Sequence, residues 1–156
     1  MPYKIGVTRF NNTTWNEYTN YRNKHHISGA IYGTSILINS EIHDNYNIYV
    51  LEMNNDTNTI MGISIIKNIV YPRKKIYSQG EYNRYIYKGE YRIDKKYLKG
   101  LELKLIERFE ELVFKGCCHM KRGSGITILP TRIYTHTKLN DNGINVIRFL
   151  ENLFRH

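Results

Sequence analysis

Two apolar runs separated by five turn formers constrain this chain most. Asn47 to Met53 (Asn-Ile-Tyr-Val-Leu-Glu-Met) and Thr59 to Lys67 (Thr-Ile-Met-Gly-Ile-Ser-Ile-Ile-Lys) flank Asn54-Asn55-Asp56-Thr57-Asn58. Asn and Asp tolerate the left-handed backbone that a tight reversal needs, so the segment predicts a β-hairpin. Both arms are almost continuously apolar rather than alternating. Strands of that kind belong at the centre of a sheet with both faces covered, which places the hairpin in the core. Glu52, inside the first arm, is expected either to pair with a base in the interior or to point to an edge.

The remaining segments arrange themselves around that hairpin. Lys4 to Phe10 is a short β-branched run ending in Asn11-Asn12, and predicts a first strand entering a loop. Thr14-Trp15-Asn16-Glu17 has the spacing of a capping box and predicts a helix reaching about His25. Tyr82 to Arg92 interleaves aromatic and basic residues and predicts one or two strands bent at Gly89. Asp94 is a candidate cap for a further helix. Leu98, Leu101, Leu105, Phe109 and Leu112 recur along one face of it, and Gly116 can end it. Ile126 to Tyr134 reads as strand interrupted at Pro130, and Asn142 to Phe154 as a closing amphipathic helix. This order predicts one α+β domain over residues 1–156, with a curved mixed sheet or open β-barrel flanked by about three helices.

Charge narrows the partner. Lys and Arg number 23 against 14 Asp and Glu, a formal charge of +9. Such a surface favours a polyanion, and phosphate backbones bind it through counterion release. No apolar run reaches the roughly 18 residues of a spanning helix, and the first residues lack a signal-peptide core, so a membrane partner is not expected. Cys117 and Cys118 are adjacent, a spacing that disfavours an intrachain bridge and fits a reducing compartment, cytoplasmic or nuclear. With His119 they lack the converging spacing of a zinc site, and neither metal nor cofactor is expected. The abundance of Asn, Ile, Lys and Tyr fits an AT-rich genome, such as many large DNA viruses have.

Two regions carry candidate chemistry. The stretch Lys115-Gly-Cys-Cys-His-Met-Lys-Arg-Gly-Ser-Gly-Ile-Thr127 sets bases and small residues between a helix and a strand. There Lys121 and Arg122 can neutralise a phosphate, Gly123 and Gly125 let backbone amides approach it, and Ser124 or Thr127 can donate hydrogen bonds. A tight turn would use the same glycines. Trp15, with Tyr82, Tyr85, Tyr87 and Tyr91 between Arg84, Lys88 and Arg92, offers aromatic faces for unstacked bases, although strand alternation sends some of these rings to the core. His119 beside Lys121 and Arg122 could instead serve a small metal-independent ribonuclease.

The short strand, the polar loop with Trp at a helix start, and the hairpin Ile48 to Met53 with Ile60 to Ile66 resemble the PUA-like superfamily, which includes EVE, ASCH and YTH domains. The resemblance implies an α+β barrel-like sheet and a nucleic-acid-binding module. In this light Trp15 matches the first aromatic of a methylated-base cage, and Phe10, Asn11 and Asn12 the segment that reads a base edge. No second Trp follows the hairpin, where Val70 and Tyr71 stand. Three readings follow: a base-capturing binder using Asn11, Asn12, Trp15, Arg84, Tyr85, Lys121, Arg122, Gly123, Ser124 and Thr127; a nuclease using His119, Lys121 and Arg122; and a protein-interaction module with a basic face.

Overall fold

The computed structural model describes residues 2–116, 119–134 and 145–155. The hairpin forms as its sequence dictates: β3 (Asn47–Asn54) and β4 (Thr59–Ile66) pair antiparallel and lie in the interior of a five-stranded sheet. Next to β3 runs β1 (Tyr3–Phe10), in parallel, with Tyr3 opposite Asn47 and Phe10 opposite Asn54. A parallel neighbour requires a crossover rather than a turn. Here it consists of helix α1 (Asn12–Lys24), strand β2 (Ala30–Thr34) and the loop that follows. The sheet is mixed, in the order β6-β4-β3-β1-β7, with β6 (Tyr91–Asp94) and β7 (Thr127–Ile128) at its edges. It does not close into a barrel. Strands β2 and β5 (Tyr85–Gly89) form a separate antiparallel pair.

Both faces of the large sheet are covered, as continuous apolar arms require. One face presents Ile5, Val7, Leu51, Met53, Ile60 and Ile63 to α2 (Gly100–Phe114) and α4 (Val146–Leu153), whose Leu105, Phe109, Val113, Leu150 and Leu153 fill that core. The other presents Phe10, Ile48, Val50 and Ile66 to α1 and the β2–β5 pair, where Tyr18, Ile31, Tyr32, Ile86 and Tyr87 are buried. A single-turn helix, α3 (Thr131–Tyr134), follows β7. The result is α+β, as expected.

Four local expectations are corrected. The cap of α1 is Asn11, not Thr14: the Asn11 side chain accepts from the Thr14 amide at 2.8 Å, and the Asn11 amide donates to Thr14 Oγ1 at 3.0 Å. The reciprocal box therefore starts three residues early, and Glu17 is left to accept from the Ser78 amide at 2.7 Å. Asp94 caps a 3-10 turn (Lys95–Tyr97) instead of α2, whereas α2 stops at Phe114 with Lys115 as its C-cap and Gly116, at φ 81°, directly after it, where the sequence placed the stop. Tyr85–Gly89 and Tyr91–Asp94 belong to different sheets, so Gly89 ends a strand rather than bending one. Beyond Pro130 the chain turns into α3 because the Pro130 carbonyl accepts from the Ile133 amide, a helical rather than a ladder bond.

Candidate nucleic-acid interface

Alternation along β1 puts Arg9 on the same face as the fully buried Ile5 and Val7. An Arg cannot end in that core, and its side chain runs to the strand's C-terminal end. There Nε–H donates to the Met120 carbonyl at 2.6 Å, one Nη to the Gly125 carbonyl at 3.3 Å, and the other to Thr127 Oγ1 at 3.0 Å. These bonds dock the 119–127 loop against β1. Gly123 and Gly125 have φ of 117° and 72°, backbone that favours glycine, and a Cβ on Gly123 would stand 3.3 Å from the Arg9 guanidinium. The loop is pinned from a second side by Asn55, in the hairpin turn, whose Nδ2 donates to the Lys121 carbonyl at 2.8 Å.

Between this loop, β1 and the end of β2 lies a pocket of about 210 Å³. Thr8, Arg9 and Phe10 form one wall, Gly33 to Ser35 another, Gly123 to Gly125 a third, and Asn11, Asn55, Tyr77 and Tyr82 complete it. None of its lining residues is acidic. Burial pulls the Arg9 guanidinium below its ordinary value, and no carboxylate among the described residues pairs with it. Burial pushes the Tyr77 phenol well up, with the charges of Glu52 and Glu17 adding to the effect, so this hydroxyl stays protonated. The pocket thus combines a cation, hydroxyls and aromatic rings.

The sequence-predicted residues fall into two groups. Asn11, Gly123 and Ser124 line the pocket; Thr127 bonds Arg9; Lys121 and the exposed Arg122 precede the glycines directly. Trp15 does not line it. Its ring meets Phe10 edge-on at 5.1 Å and carries the Arg92 guanidinium 5.6 Å from its centroid. Asn12 binds the turn of the hairpin, its amide donating to Asp56 and its side chain accepting from Asn54. Tyr85 sits half-buried opposite Thr34, and Arg84 is exposed just before it. Thr8, Arg9, Asn55 and Tyr77 were not singled out from the sequence. For Arg9 the signal was legible: a cation at an inward position of an alternating strand.

His119 accepts from the Lys121 amide through Nδ1 at 3.3 Å, and no carboxylate or second imidazole among the described residues bonds to it. Cys117 and Cys118 lie outside the described residues. Among those residues no group of three His, Cys, Asp or Glu gathers to hold a metal, and no helix is long and apolar enough to cross a membrane.

Glu52, left open by the sequence, is fully buried. Arg92 donates to Oε1 at 2.6 Å and through Nε to both oxygens at 3.0 Å, while the Tyr18 and Tyr32 hydroxyls donate to Oε2 at 2.9 and 2.6 Å. The pair fixes the ring column Trp15, Phe10, Tyr18, Tyr32, whose successive members lie 5.0–5.6 Å apart with Phe10 against both Trp15 and Tyr18. Gly62 makes room for it: a Cβ there would stand 2.5 Å from Arg92 Nη2 and 2.8 Å from Glu52 Oε1. Comparison of this chain with protein-family models, with curated proteins and with solved structures found no match.

Proposed function

We propose that this protein is a PUA-like nucleic-acid-binding module that captures one nucleotide of a single strand in the pocket at the end of β1. The observation that carries the reading is the pocket's composition: an acid-free cavity lined by Arg9, Phe10, Tyr77 and Tyr82, with the basic residues Lys121 and Arg122 beside its glycine loop. A base can stack on an aromatic wall while the flanking phosphates meet the bases at the rim. The chain's charge of +9 favours the same partner. The order of strand, polar loop, helix and apolar hairpin supports the PUA-like assignment, and catalysis is not required.

Fluorescence anisotropy of labelled single-stranded RNA and DNA, in chelator, tests the reading. Binding should weaken with salt, and three phosphate contacts give a slope of about −2 in log K against log[salt]. Lys121→Ala with Arg122→Ala should lower affinity for all sequences alike. Absence of binding at low salt retires the proposal.

A further inference from the structure

The pocket holds more than a neutral base requires. Arg9 spends three N–H groups on neutral acceptors and keeps its charge uncompensated within the described structure. Thr8 and Tyr77, only 7% and 5% exposed, line the same cavity, and neither hydroxyl has a hydrogen-bond partner among the described residues. Both hydroxyls are thus free to bond a guest in the cavity. The cavity therefore suits an anion that takes hydrogen bonds from Arg9, Thr8 and Tyr77. Helix α1 contributes little here, since Asn11, Thr14 and the Asp56 carboxylate already occupy its first amides.

We infer that the pocket receives a terminal phosphate monoester of a nucleotide, with Arg9, Thr8 and Tyr77 on the phosphate. An internal phosphodiester carries one charge and continues in both directions, which suits an open groove. A monoester carries more charge and ends, which suits a half-enclosed pocket bearing an unpaired cation. For its ligand class the inference rests on the nucleic-acid reading, and the same chemistry can come from a strand end or from a free nucleotide.

The test compares a short single-stranded RNA bearing a 5′-phosphate with the same RNA bearing a 5′-hydroxyl, alongside a free nucleoside 5′-monophosphate and inorganic phosphate. Affinities are taken by calorimetry, and the site is read from the amide NMR shifts of Gly33, Asn55, Gly123 and Gly125. The phosphorylated end should bind about tenfold more tightly, roughly what one charge-assisted hydrogen bond supplies. Arg9→Gln should abolish that preference. Because Arg9 also docks the loop, Thr8→Val provides a second variant: it keeps the side chain's shape and should reduce the preference while leaving the amide spectrum otherwise unchanged. Equal affinity for both RNA ends, without competition by the monophosphate, overturns the inference and leaves the nucleic-acid reading standing. Shifts of the pocket amides with the monophosphate but no RNA binding overturn that reading and support a free nucleotide as ligand. Inorganic phosphate binding as tightly as the nucleotide, or no binding by any of the four, overturns the inference.

Discussion

Glu52 accepts from three side chains in a space closed to water, so removing its charge does not simply delete one interaction. It leaves the buried Arg92 with only the partly exposed Asp94, 3.3 Å away, as counterion. Breaking a buried pair from one side costs about 3–5 kcal/mol, and Glu52→Gln should lower the unfolding free energy by that order in a urea titration. Gly62→Ala tests the same site sterically. The added methyl must displace the Arg92 guanidinium or the Glu52 carboxylate, and a loss of about 1–3 kcal/mol is expected. An unchanged urea midpoint would show that the guanidinium has room to move. These residues also mark where reading by sequence stops. That Glu52 lies in a central strand follows from its neighbours; that Arg92, forty residues away, supplies its partner depends on β6 joining β4, which no local pattern encodes. Trp15 shows the converse. A lone Trp at a helix start draws attention as a contact, whereas its ring is engaged with Phe10 and Arg92.

At the scale of elements, helix α1 depends on Asn11 for its start and on the hairpin turn for its place, because the Asn12 amide and side chain are both tied to residues of that turn. Asn11→Ala removes the side-chain half of the capping box and should cost about 1 kcal/mol of stability, measured by thermal or urea unfolding. The hairpin, β1, α1 and the apolar stripe of α2 were legible because their signals are periodic or consist of turn chemistry within a few residues. Strand β2 was not. Its five residues, Ala-Ile-Tyr-Gly-Thr, are too few to show alternation, and their strand character comes from pairing with β5 more than fifty residues later. The segment after Pro130 failed for a related reason: Ile126 to Leu129 sets a β-like pattern, but only two residues find a partner strand.

For the whole molecule, the polar interior sets a limit on alkaline stability. Tyr18, Tyr32 and Tyr77 all have phenols held well above the ordinary value, first by burial and then by the charge of Glu52. The folded state thus keeps protons that the unfolded chain releases near pH 10. Stability is unaffected below that point and falls as pH rises above it, by about 1.4 kcal/mol per pH unit for each such tyrosine. Urea midpoints measured from about pH 9 to 11 should drop steeply, and Tyr32→Phe should make the slope shallower. A flat profile would mean that water reaches these hydroxyls. Charge and composition pointed to a polyanion, but they could not place the pocket, because it draws on β1, the hairpin turn, residues near Tyr77 and a loop beyond residue 120.

The position of β1 in the sheet has a consequence for how the protein is made. This strand is made before both its neighbours, β3 and β7, and β7 lies as far on as residues 127–128. Until residues 120–127 have been made, one edge of β1 stays open and Arg9 lacks the three acceptors that anchor it. The pocket is thus closed by contacts between residues 111 to 118 positions apart, and it forms only once they meet.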